Sequence, residues 1–301
     1  MLLFAGGTGR LGTAAVELLI ARGIRVRVMT RDPARAQHLA ADLVEIVQGD
    51  ARNPAEVGRA VEGATTVVSA IQGFDGVAGN SPRTVDEVGN ANLIKAAERI
   101  GAEHFVLVSV QGAGPEHPME LARAKFAAEQ KLRQSRLAWT IIRPTPFMEF
   151  WASLVGQPLV DTGRTRVFGG GQNPINFVSV PDVARFVVLA VTDPALRGVM
   201  VEAGGPENLT LNQVVEVFER LTGKSGKKDH VPLPMMRLMS VLLRPVNPTL
   251  ARQIRAGVIM DTVDMTWNPG PNRSLYPSLP QTRLEAMLER TLKSVATPQQ
   301  G

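Results

Sequence analysis

The chain has 301 residues, 44% hydrophobic and 20% charged, enough apolar side chain for a large core, which excludes both a small stapled scaffold and a disordered chain. Cys is absent, so disulfides, thiolate metal sites and Cys nucleophiles are excluded together. The net charge of +5 is local: from Lys224 to Arg255 seven Lys and Arg stand against Asp229, a balance of +6 that leaves −1 for the rest, and without regularly spaced aromatics this segment reads as solvated helix faces rather than a nucleic-acid platform.

The start, MLLFAGGTGR, has no basic leader and breaks its apolar run at Gly6. No later run approaches the ~18 apolar residues of a membrane span, so a cytoplasmic protein is expected. Apolar or β-rich runs then fall at Leu2–Ala5, Ile24–Thr30, Leu43–Val47, Thr66–Ala70, His104–Ser109 and Trp139–Arg143. Helical patterns near 10–22, 33–41, 54–62, 84–100 and 118–136 separate them, punctuated by Gly23, Asp32-Pro33, Asn53-Pro54 and Gly101. This alternation predicts an α/β fold, a doubly wound parallel sheet of Rossmann type.

After Pro144, Pro and Gly become frequent and the rhythm changes. Short strands are expected near 164–168, 175–179 and 198–203, and helices near 182–192, 210–221, 234–243, 248–259 and 282–295. The resulting division is a dinucleotide-binding domain over 1–150 and a smaller mixed substrate-binding or capping lobe over 151–301, interleaved on the same core. A stripe of Met235, Met236, Leu238, Met239 and Leu242 reads either as core packing or as the wall of an apolar substrate pocket.

Gly6-Gly7-Thr8-Gly9-Arg10-Leu11-Gly12 follows the first strand and opens the first helix, inside a strand-helix-strand unit of about 30 residues. In that context Gly6 serves the tight turn, Gly9 the approach of a pyrophosphate to the backbone, and Gly12 the packing of helix on strand. The free N–H groups of the helix start attract the anion. The second strand ends in Met29-Thr30-Arg31-Asp32-Pro33, where an NAD binder usually carries an acidic residue. Arg31, with Arg10 in the turn, suits a 2′-phosphate, while Asp32 before Pro33 reads as a helix N-cap, so NADPH is expected in preference to NADH. Asp50 either meets the adenine end of the cofactor or caps the helix entering at Asn53-Pro54. Ser69, Ala70 and Ile71 end the fourth strand in residues small enough to let a dinucleotide lie across it, and Pro144 with Phe147 leaves the sixth where the nicotinamide is expected.

GGTGRLG, TRDP, QGD, NLIKAAERIGAEHFVLVS and AKFAAEQKLRQSRLAWTIIRPTPFME together resemble an atypical short-chain dehydrogenase of the NmrA-like and isoflavone-reductase-like group, over roughly residues 1–205. The resemblance implies NAD(P)H on a doubly wound sheet. It also implies one of two activities: reduction of small carbonyl or conjugated compounds, or cofactor sensing without turnover in a regulator. The wider superfamily takes its proton from the Tyr of a Tyr-x-x-x-Lys pair; here Leu121 stands four residues before Lys125, and the one tyrosine is Tyr276. Only the lysine carries over. Lys125 shares a helix stripe with Leu121, Ala128 and Leu132, where a cation needs a partner, so it reads either as a group that touches the nicotinamide ribose or donates the proton, or as a lysine whose head reaches water. Ser109 and Gln111 are both possible counterparts of the superfamily Ser. A Ser-His-Asp hydrolase lacks its Gly-x-Ser-x-Gly, and none of His38, His104, His117 and His230 has a metal-ligand spacing. A small apolar substrate, no metal and no nucleic acid are therefore expected.

Overall fold

The computed structural model describes residues 1–74, 76, 79–276, 279 and 281–296. The chain divides into two compact units, one of Met1–Pro144 with Val183–Ala203 and one of Thr145–Asp182 with Gly204–Gly301. The sequence reading divides the chain at 150. The first unit ends at Pro144 and takes in a returning stretch.

Its strands are β1 (Leu2–Ala5), β2 (Val26–Thr30), β3 (Val44–Gln48), β4 (Thr66–Ser69), β5 (His104–Val108) and β6 (Ala138–Pro144). In the second unit follow β7 (Arg164–Phe168) and β8 (Ile175–Asn176), then β9 (Val199–Ala203) back in the first, then β10 (Asn208–Leu209) and β11 (Lys227–Val231). The main sheet has the order β3-β2-β1-β4-β5-β6-β9, parallel throughout. The sequence read six of these strands as the sheet and put the seventh, β9, in the second lobe. The central strands are buried on both faces, which is why LLFA and HFVLV show no alternation. The order reverses between β1 and β4, the point where such sheets take ligands.

Four α-helices, α1 (Arg10–Ile20), α2 (Pro54–Ala60), α3 (Asn90–Arg99) and α4 (Glu120–Gln134), lie within the first unit. In α1 the buried Leu11, Ala15, Val16 and Leu19 form the stripe that its periodicity predicts. Asp32 caps a 3₁₀ helix over Pro33–Leu39 by accepting from Ala34 N, as its place before Pro33 suggests. The helix expected near 84–100 starts earlier. Ser81 and Thr84 close a capping box, and a wider π-helical stretch over Pro82–Gly89 runs into α3. One apolar core joins Leu3, Leu93, Phe105, Leu107, Leu132 and Ile141.

The remaining helices are α5 (Met148–Thr162), α6 (Val180–Thr192), which belongs to the first unit from Val183 on, α7 (Leu211–Thr222), α8 (Leu233–Leu242), α9 (Pro248–Thr262), α10 (Gly270–Leu275) and α11 (Leu284–Ala296). In the second unit β7 pairs in parallel with β11 and β8 antiparallel with β10. Met148, Val155, Phe177, Val214 and Phe218 belong to a separate core. Gly156 of α5 meets the Phe218 ring, where any Cβ would collide. Buried Asp182 accepts from both the N–H and the hydroxyl of Thr282, which fixes the start of α11. No helix among the described residues is long and apolar enough to cross a membrane.

Candidate functional site

The turn after β1 is built as its glycines suggest. Gly6 has φ 89°, and a Cβ there would stand 2.7 Å from the Ala70 carbonyl oxygen beyond β4. A Cβ on Gly12 would collide with the Gly6 carbonyl and the Gly7 Cα, so the helix start packs directly on the turn. Gly9 N–H donates to Gly6 O at 3.2 Å, and Thr13 N–H to Gly9 O at 2.8 Å. Arg10, Leu11 and Gly12 occupy the first turn of α1, whose N–H groups have no intrahelical acceptor, and no side chain among the described residues caps them. Thr8 is half-buried, Gly9 and Arg10 are exposed, and the Leu11 side chain points into the core, leaving its backbone at the turn. This cradle fits a pyrophosphate: donors gathered at the positive end of a helix, with the two glycines leaving no room for a Cβ at the turn.

At the ends of β2 and β3 lies a charged rim. Arg31 is exposed and donates to Asn80 Oδ1 at 2.8 Å. Arg52 holds Asp50 through both carboxylate oxygens, with contacts of 3.0, 3.0 and 2.5 Å. The Arg52 guanidinium keeps the Asp50 carboxyl below the usual range, with Arg31 adding a weaker pull. Of the two readings of Asp50, the helix cap falls to Asn53, which accepts from Ala55 N and Glu56 N. Neither Arg52 nor Asn80 was singled out from sequence; both are recognisable only once the loops fold together.

The interior beneath is closed. Ser69 is buried and donates to Asn90 Oδ1 at 2.6 Å, while Asn90 Nδ2 donates to the Asp86 carbonyl at 2.6 Å. Lys125, 3% exposed, donates to the carbonyls of Ile71 at 2.8 Å and Val108 at 3.0 Å. It is ion-paired with the fully buried Asp86 at 3.0 Å. The other Asp86 oxygen accepts from Gly73 N at 2.8 Å. Of the two readings of Lys125, the head that reaches water is excluded by this burial. Asp86 had no signal in the sequence, lying far from Lys125 in the chain within an ordinary helical pattern.

Ser109 is buried and donates to Glu129 Oε1 at 2.5 Å. Glu129, itself fully buried, also receives Arg143 Nε at 2.9 Å and Nη2 at 2.6 Å. That carboxylate raises the Arg143 pKa through the same hydrogen bonds. Gln111 N–H donates to Pro144 O at 2.9 Å, which joins the ends of β5 and β6. Between Gln111 and α4, His117 accepts from Met119 N through Nδ1 at 3.1 Å; burial, and then Arg123, push its pKa down. Phe147 is half-buried at the start of α5 in the second unit. That unit carries a polar cavity of about 310 Å³ whose lining includes Asn212, Glu216, Lys228 and His230 and none of the residues expected to bind cofactor or substrate.

The pattern of the NAD(P)H-binding family matches residues 6–194, and the chain belongs to that family. It is 29% identical over 225 residues to an NAD(P)H azoreductase of Xenophilus azovorans, covering 74% of each chain. It is 27% identical over 308 residues to the isoflavone reductase homolog IRL of Zea mays, covering 97% of this chain and 98% of the other. In fold it is similar to the Escherichia coli NADPH-dependent quinone oxidoreductase QOR2 complexed with NADPH, with TM-score 0.79, 21% identity, and coverage of 97% and 100%.

Proposed function

We propose that this chain is an NADPH-dependent oxidoreductase that reduces a small, mainly apolar carbonyl or conjugated compound without a tyrosine proton donor. The observation that carries the reading is the glycine turn, with first-turn N–H groups that no side chain among the described residues caps. The names of the azoreductase and isoflavone reductase relatives support a reductase. When bound, the dinucleotide supplies a hydride. The chain's part is to hold and orient: the N–H groups of Arg10, Leu11 and Gly12 receive the pyrophosphate, and Arg31, with Arg10, receives the 2′-phosphate. Ala70 and Ile71 border the turn. Lys125 fixes the loop after β4 against β5; it serves as a proton source only by exchanging its Ile71 or Val108 carbonyl for substrate or water. The second unit is the proposed substrate-binding lobe, with Phe147 its apolar contact.

A second reading, a regulator that binds the cofactor without turnover, is favoured by one observation. The Ser109 hydroxyl and the Lys125 ammonium are both satisfied within the protein, and Leu121 has no proton to give. Titration with NADPH and NADH, followed by NADPH oxidation assays on aldehydes, enones, quinones and azo compounds, separates the two. Tight NADPH binding with no oxidation across the panel selects the regulator. Equal affinity for the two cofactors removes the NADPH preference. In an enzyme, Lys125→Met that abolishes turnover while cofactor affinity stays nearly intact assigns it the proton.

A further inference from the structure

The second unit turns an apolar stripe toward solvent. In α8 only Met236 is buried, whereas Met235, Leu238, Met239 and Leu242 are 46, 59, 37 and 63% exposed. At 100° per residue these four fall within an arc of about 100°, one coherent face rather than scattered residues. Val241 at 68% and Val246, just beyond the helix, at 81% extend it. Along the sequence the stripe and the segment after it carry charge of one sign: Leu233 to Arg255 holds Arg237, Arg244, Arg252 and Arg255 and no Asp or Glu. Arg237 and Arg244 are exposed and make no ion pair among the described residues. Upstream, by contrast, Lys227 pairs with Asp229 and Lys228 with Glu219.

We propose that this face docks peripherally on an anionic lipid surface. The apolar stripe enters the boundary between headgroups and acyl chains, and Arg237 and Arg244 lie against lipid phosphates. Charge decides the occupant. A purely apolar partner would leave Arg237 and Arg244 unanswered, and a nucleic acid would answer the arginines but leave the apolar stripe in water. A ten-residue helix spans only about 15 Å, so it lies on the bilayer and does not cross it.

The test is co-sedimentation of the full chain with phosphatidylcholine vesicles, with and without phosphatidylglycerol, at low and high salt. Expected is salt-sensitive binding to the anionic vesicles alone, weakened about tenfold or more by Leu238→Ser with Leu242→Ser, and comparably by Arg237→Gln with Arg244→Gln. All four positions are exposed, and retained NADPH binding checks that the variants fold. The proposal is overturned by absence of binding, by equal binding to neutral vesicles, or by serine variants that bind vesicles as the wild type does. A dimer in gel filtration that the serine pair dissociates would assign the face to a second copy. A raised KM in the serine pair with vesicle binding unchanged would assign it to the substrate.

Discussion

Two polar regions of the first unit, at neighbouring strand ends, are built on opposite terms. Beneath the sheet edge, Lys125 is matched by Asp86 and two carbonyls, and Glu129 by Arg143 and Ser109, so each buried charge meets its complement inside the protein. At the rim, the first-turn N–H groups of α1 have no side-chain partner among the described residues, and the Arg31 side chain is held by an exposed bond to Asn80. The residues that look most chemical in the sequence are thus the most enclosed, while the ligand-ready groups are mostly backbone. Burial demands internal partners because an unpaired ion in the interior is costly, and exposure leaves groups available.

The sharpest way to break this contrast is Asp86→Ala. It strands the Lys125 ammonium with two carbonyls, and a loss of about 3–5 kcal/mol in denaturant unfolding is expected. Asp86→Asn should cost less, because its amide oxygen can still accept from Gly73. A loss well under 1 kcal/mol for Asp86→Ala would mean that water reaches the site and the interior is not closed.

His104 tests the same closure by pH. Its Nε2 lies 2.9 Å from the Thr140 hydroxyl, which itself donates to Leu196 O, so the neutral ring is the donor. Burial lowers its pKa from 6.5 to about 4. The unfolded chain therefore takes up a proton that the folded chain refuses, and stability falls as pH drops from 6.5 toward 4, by up to about 3 kcal/mol. His104→Gln, which cannot charge, should lose that part of the acid sensitivity in Tm measured against pH. An unchanged slope would place the acid lability elsewhere.

At the rim the effect is on binding rather than folding. Arg31→Ala should weaken NADPH about tenfold and leave NADH within about twofold, read by fluorescence titration. Equal losses for both would mean that Arg31 acts by holding the Asn80 loop, not by receiving a 2′-phosphate.

The legibility of the chain follows the same divide. Strands β1 to β6 were read within about two residues of their bounds: β1, β4 and β5 because doubly buried parallel strands are continuous apolar runs, and the edge strand β3 from its β-branched residues. The glycine turn was legible because its φ and packing demands leave little choice of residue. By contrast α5 was missed: Gly156 and Pro158 look like breakers, yet Gly156 is there to admit Phe218. β11 was missed because KKDHV carries its charge into pairs with neighbouring elements. The partners Asp86, Asn90, Arg52 and Asn80 escaped because a polar pair between distant segments has no local pattern. Position on a helix stripe marked Lys125 as needing a partner; only the folded chain names it.

The smallest expected effect lies in the second unit, at Glu149. Both of its carboxylate oxygens accept from Val180 N, at 2.9 and 3.0 Å, and the Asp182 carboxylate stands nearby. Burial, with a lesser push from Asp182, raises its pKa above the ordinary 4.5, against the hydrogen bonds that lower it. The folded chain therefore holds this proton more tightly than the unfolded one. Stability from this group is fully present below 4.5 and declines as pH rises through the raised value. Glu149→Gln keeps an oxygen for Val180 N–H and cannot ionise, so its Tm relative to wild type should climb from acid toward neutral pH and then level. A difference that stays flat across that range would show that the hydrogen bonds to Glu149, from the Val180 and Glu149 backbone and the Ser179 hydroxyl, offset burial entirely, making this helix start as well matched as the Lys125 interior.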